Sequence, residues 1–152
     1  MVVTFVQNAT LLITLSVLYG LINWYKPSKE FYYQFISGLW FGFVAIAAMM
    51  MPFRYESGII YDGRSVVITL AGLWGGGYTT LISAGIAIIY RIYLGGAGVY
   101  AGVATLLFCG LTGLLFRLIL KKRLDNLKLF HFWGIGFVSH LVMLASQLLL
   151  PG

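Results

Sequence analysis

The chain has 152 residues, of which 61% are hydrophobic and only 9% charged, and its mean hydropathy is +0.94. A soluble domain carries roughly 25% charged residues, so a water-soluble globule of this size is excluded, as is a second soluble domain. The net charge of +6 is concentrated in short loops between apolar runs rather than spread along one face, which is the pattern of a membrane protein setting its orientation and not of a nucleic-acid binder.

A span needs about 20 mostly apolar residues, so the length admits at most about six or seven. The first run, Thr4 to Tyr25, ends on Trp24 and Tyr25, which suit an interface. It lacks a basic leader and a small-residue cleavage pattern, so it reads as a retained span. Lys26-Pro27-Ser28-Lys29-Glu30 forms a polar turn, and a second run extends from Phe31 to Phe53 with Gly38 and Gly42 at close-packing spacing. A mixed polar segment, Arg54 to Ser65, precedes the uncharged run Val66–Tyr90, which holds Gly75, Gly76 and Gly77 near its middle. Arg91 and a turn over Leu94–Gly98 follow, then a run from Val99 to Leu120. The basic loop Lys121, Lys122, Arg123, Lys128 leads to the last run, Leu129 to Leu150.

The fold class expected is all-α, a polytopic membrane helix bundle of about six hydrophobic segments, the middle pair short and broken at Gly75–Gly77. Charge argues for the break. As one span, Val66–Tyr90 would put the loop with Lys26 and Lys29 and the loop with Lys121–Lys128 on opposite sides. As two short spans or a re-entrant pair, it puts both in the cytoplasm. Irregular backbone at that depth is tolerated when buried in protein or lining a cavity. The break also leaves Arg64 and Arg91 on one side, the outer one.

No catalytic constellation is visible. Glu30, Glu56, Asp62 and Asp125 are too few and dispersed for a carboxylate pair, and the triple glycine lacks the Gly-Lys-Ser/Thr ending of a P-loop. His131 and His140 are wrongly spaced for metal ligands on one helical face, leaving an interfacial position for the first and a helix–helix hydrogen bond for the second. Cys109 is the single cysteine, so no internal disulfide forms, and it reads as a small apolar filler. No metal, cofactor or nucleic acid is implied.

Arg64 and Arg91 each abut a long apolar run, where arginine is costly. Two planar forks converging in a cavity would hold a small anion. Equally, Arg64 can pair with Asp62 or Glu56 while Arg91 snorkels to the interface; Asp62 would also serve as a resting partner that a ligand displaces. Gly72 with Gly76, and Gly98 with Gly102, repeat the close-packing spacing. Thr105 shares a helical face with Gly98 and Gly102; its hydroxyl serves a ligand or its own backbone.

At these residues the chain resembles a known family, the five-transmembrane receptor domain (LytS–YhcK type) of LytS-type sensor histidine kinases. The resemblance rests on Gly58-Ile59-Ile60-Tyr61-Asp62-Gly63-Arg64-Ser65, on Ala71-Gly72-Leu73-Trp74-Gly75-Gly76, on Tyr90-Arg91 through Gly95-Gly96-Ala97-Gly98, and on Leu111-Thr112-Gly113-Leu114-Leu115. It covers residues 52–120 strongly and the flanks loosely. It implies a bacterial plasma-membrane input module over residues 1–152, without catalysis of its own, separated from a cytoplasmic histidine kinase or diguanylate cyclase output and forming a homodimer. Since Gly152 would lie outside after six segments, that output would need one further span. Some relatives resemble receptors for pyruvate, and the positions matching their site are Arg64, Arg91, Gly102 and Thr105; Gly102 stands where such a relative has cysteine. The family is distantly similar to the substrate-binding subunits of energy-coupling-factor transporters, which leaves a small-solute transport component as the second reading. A scaffold that dimerises through glycine faces is the third.

Overall fold

The computed structural model describes residues 20, 30–50, 53–56, 59–61, 63–96, 98–120, 134–139, 141 and 145. The run Thr4–Tyr25 apart from Gly20, both basic loops, Asp62, His131, His140 and most of Leu129–Leu150 lie outside them.

Helix α1 spans Glu30–Met50, α2 spans Arg64–Leu70 and passes into a π-helical turn over Ala71–Gly75, α3 spans Gly77–Leu94 and α4 spans Val99–Leu120. Residues 134–139 are also helical. Among the described residues, regular structure other than helix is confined to a short hairpin between α1 and α2. Its strands, β1 (Phe53–Glu56) and β2 (Ile59–Tyr61), pair antiparallel with an irregularity between Arg54 and Glu56. Part of the mixed polar segment thus forms strands, which the all-α expectation did not include.

Three of these helices, α1, α3 and α4, are long and apolar enough to cross a membrane, and Arg64–Gly75 is a shorter apolar helix. The expected break in Val66–Tyr90 is present and localises to Gly76, whose φ of 83° and ψ of −169° belong to no helix. It is a reversal rather than a kink, as contacts along the helices show. Gln34, Gly38 and Gly42 of α1 meet Thr79, Ile82 and Ile86 of α3 in ascending order, so α1 and α3 run parallel. Gly76, Thr80 and Arg91 meet Arg117, Gly110 and Gly102 of α4 in descending order, so α3 and α4 run antiparallel. The α2–π segment descends alongside α4, with Ile68 near Gly110 and Leu73 and Trp74 at Arg117.

Glu30, Gly76 and Leu120 therefore mark one end of the bundle. Met50, Arg64 and the Leu94–Val99 turn mark the other. The helix ends next in sequence to the two basic loops fall on the same side.

The surface is apolar where a bilayer would touch it. Leu81, Ile89, Leu118 and Ile119 are each more than two-thirds exposed. Aromatic side chains collect at both ends, with Phe31, Tyr32 and Tyr78 at the Gly76 end and Tyr93 and Tyr100 at the other, as interfacial belts do. The interior is apolar around Phe41, Val44, Val67, Ile68 and Leu106, yet it also contains many buried hydroxyls. Thr69, Thr79, Thr80, Thr105, Thr112 and Ser139 each donate to the carbonyl four residues earlier. In this way a polar group is satisfied where no water reaches it. Ser139 also lies 3.3 Å from the Thr69 hydroxyl, which ties residues 134–139 to α2.

Candidate functional site

Gly76 is level with Arg117 and provides a reference depth. Arg64 lies twelve residues before it and Arg91 fifteen after it. At about 1.5 Å per residue the two arginines stand roughly 18 and 22 Å above the break, hence at nearly the same depth. Twelve and fifteen residues before Arg117 on α4 lie Thr105 and Gly102, the two small residues the sequence singled out.

Arg91, in the last turn of α3, is half-buried and lies along α4. A Cβ on Gly102 would come within 2.5 Å of its Nε and 3.1 Å of its Cδ. Its Nη1 donates to the Gly95 carbonyl at 3.2 Å, covering the end of α3. Gly102 thus makes room for the Arg91 side chain of the neighbouring helix. Gly102→Ala is expected to keep the fold, because the atoms it displaces are the far end of a flexible side chain. By re-aiming the guanidinium it should still weaken anion binding about tenfold, which corresponds to roughly 1.4 kcal/mol; calorimetric titration checks this.

Arg64 opens α2 and is half-buried. Gly102, Thr105 and Cys109 follow one another at helical spacing on the α4 face turned inward. All three are buried. The Thr105 hydroxyl donates to the Ala101 carbonyl at 2.8 Å. The structure therefore brings Arg91 to Gly102, leaves Thr105 buried one turn further along the same helix, and sets Arg64 at the same end of the bundle. Asp62 lies outside the described residues. Cys109 is fully buried, as expected of a filler. Among the described residues no group of three or more His, Cys, Asp or Glu could hold a metal.

Arg117 escaped the reading of the sequence. Its Nη1 donates to the carbonyls of Trp74 at 2.6 Å and Leu73 at 3.3 Å. These belong to the π-helical turn, whose last carbonyls have no partner within their own helix. A cation at that C-terminal end is also favoured by the helix dipole. The signal was available: Arg117 is the one charged residue in the run Val99–Leu120, and an arginine there calls for a partner. Gly76, expected to pair with Gly72 on a helix face, instead makes the reversal and lies against Arg117. Arg117→Gln should destabilise the bundle by about 1.5–3 kcal/mol, the worth of hydrogen bonds to a charged group, read as a lower midpoint in detergent thermal unfolding.

Comparison with known families matches residues 7–151 to the family described as "5TMR of 5TMR-LYT". Comparison with curated proteins and with solved structures gives no match. The family match spans nearly the whole chain, and the helices above supply the membrane-crossing bundle it requires; the chain belongs to the LytS-type five-transmembrane receptor family and is a multi-pass membrane sensor domain, not a catalyst by itself.

Proposed function

We propose that this domain binds a small carboxylate from the outer side of a bacterial plasma membrane, between Arg64 and Arg91, and relays its presence to a cytoplasmic histidine kinase or diguanylate cyclase output. What supports the reading is that two half-buried arginines, Arg64 opening α2 and Arg91 near the end of α3, stand at the same end of the bundle, with Arg91 lying over Gly102 on the buried small-residue face of α4. A small anion bridging two guanidinium forks gains charge-assisted, bidentate hydrogen bonds. Arg64 also occupies the first position of α2, where the helix dipole disfavours a cation, so helix stability alone does not account for it. With Lys26, Lys29 and the Lys121–Lys128 loop cytoplasmic, the arginines face outward and the full count is six segments. A homodimer and the bilayer complete the setting. The bound pair Gly102 and Thr105 would set the room available, and Asp62 would serve as the resting partner.

The test is calorimetry on the purified domain with pyruvate, lactate and acetate, alongside Arg64→Ala and Arg91→Ala. Undiminished binding in both variants, or no binding by the unaltered domain, would sink the proposal. A transport component like an energy-coupling-factor subunit differs in one measurable respect: it gives flux into sealed vesicles, and a sensor gives none.

A further inference from the structure

We infer that α1 carries an internal hydration site, a short row of water molecules that joins Trp40 Nε1, Ser37 Oγ and Gln34 Oε1 inside the bundle.

Beyond its first turn, α1 has three side chains able to form a hydrogen bond, Gln34, Ser37 and Trp40. Each has a buried polar atom without a hydrogen-bond partner among the described residues: Gln34 Oε1, Ser37 Oγ and Trp40 Nε1. Elsewhere in the bundle buried hydroxyls bond back to their own helix. Thr69, Thr79, Thr80, Thr105, Thr112 and Ser139 reach the carbonyl four residues earlier, and Ser83 reaches that of Thr80. Ser37 is mid-helix and fully buried, and its hydroxyl makes no such bond. The Gln34 amide is pinned from outside, because its Nε2 donates to Glu30 Oε1 at 3.3 Å, which turns Oε1 inward.

The spacing suits water. Side chains three apart on a helix are surface neighbours, with about 5–6 Å between Cβ atoms. That is the span of two hydrogen bonds of about 2.8 Å meeting at one oxygen. The row starts level with the reversal, where Thr79 donates to the carbonyls of both Gln34 and Gly75. From Gln34 to Trp40 it climbs roughly 9 Å toward the middle of the bundle. Ser37 stands one turn before Phe41 and two before Val44, which join Val67, Ile68 and Ala71 in the core. It therefore lies on the side of α1 that faces the α2–π segment.

The chemistry selects the occupant. Trp40 Nε1 can only donate, Gln34 Oε1 can only accept, and the Ser37 hydroxyl does both. An anion would be repelled by the amide oxygen and a cation by the indole N–H. A small neutral molecule that both donates and accepts fits every group, and water is that molecule. The bonds then run in one direction: Trp40 N–H to water, water to Ser37 Oγ, the Ser37 O–H to water, and water to Gln34 Oε1. Leaving a buried polar group unmade costs more than a made bond returns, and in a membrane bundle such groups must be satisfied internally. Buried waters do this where several polar groups converge. The row belongs to the Gly76 end of the bundle and does not depend on the carboxylate reading.

Water-edited solid-state NMR on the whole domain in lipid bilayers, with the indole nitrogens labelled with nitrogen-15, tests this. The Trp40 signal is identified by its loss in Trp40→Phe. Magnetisation from water should reach Trp40 Nε1, and Ser37→Ala should slow its build-up. Ser37→Ala should also lower the ratio of folded to unfolded domain about five-fold in detergent unfolding, the size of a single lost hydrogen bond. Gln34→Leu repeats the test from the far end of the row, where a slower build-up at Trp40 requires a connection through water, and it decides the matter if Ser37→Ala does not fold. No transfer from water to Trp40 Nε1, or a build-up unchanged in both variants, would overturn the inference. So would a stabilised Ser37→Ala domain, which is the result of deleting a hydroxyl that bonds nothing.

Discussion

Arg64→Ala and Arg91→Ala should each remove carboxylate binding while leaving the bundle folded. Removing one partner of a desolvated, hydrogen-bonded charge pair costs about 2–5 kcal/mol, or roughly 30- to several-thousand-fold in Kd. A ligand held weakly by the unaltered domain would then fall below detection. Arg→Lys at either position keeps the charge and loses the fork, so an intermediate loss is expected. The stability of the variants separates this from a structural role. Arg64 heads α2 without a side-chain cap, where a cation opposes the helix dipole. Its replacement should therefore cost binding far more than it costs stability. If Arg64 instead served a structural ion pair, the midpoint would fall together with binding. Arg91 covers the Gly95 carbonyl through one hydrogen bond, so Arg91→Ala should lower the midpoint slightly, well short of unfolding.

The second large effect concerns assembly. Gly113→Ala should destabilise the domain severely, because the new methyl group would land on the Thr69 carbonyl and the neighbouring Gly72 backbone. Neither can swing aside as a side chain does, so α2 and α4 must separate. Overpacking costs typically about 1–3 kcal/mol, and a clash with backbone on both sides belongs at or above the top of that range. Gly72→Ala should behave alike. Gly85→Ala is the matched control: it lies within α3 with nothing within 4 Å of its added Cβ. There alanine should stabilise by about 0.5–1 kcal/mol through helix propensity alone. Unfolding followed by tryptophan fluorescence in detergent distinguishes them, and identical midpoints for Gly113→Ala and Gly85→Ala would refute the backbone contact.

Much of the fold is legible along the chain because hydropathy acts locally. The run Val99–Leu120 coincides with α4, and the second run covers α1 with its end drawn in from Phe53 to Met50. The triple glycine announced a break, and the basic loops required that the chain reverse there. The sequence did not say which glycine makes the turn. Gly75 admits the Thr79 side chain, Gly76 supplies the positive φ, and Gly77 is exposed with open space around it. These roles depend on neighbours, and three identical letters do not distinguish them.

The candidate site divides in the same way. The residue types, two arginines bordering apolar runs and small residues on the following helix, could be read from the sequence, and the family resemblance named the same positions. Glycine pairing could not be read. Gly72 was matched to Gly76 by spacing within one helix, whereas its partners, Gly110 and Gly113, lie about forty residues away on another. Arg117 was overlooked for a related reason: its partners are backbone carbonyls, which carry no residue-specific signal. By itself the sequence determined solvent, segment boundaries and the sign of each loop, since each follows from the transfer energy of short stretches into lipid. Only the tertiary structure decided that α2 and α3 form a reversal, that Arg91 lies over Gly102 of α4, and that Arg117 holds the carbonyls of the π-helical turn. Those facts depend on which backbones can touch, and contact between distant segments is a property of packing rather than of any one of them.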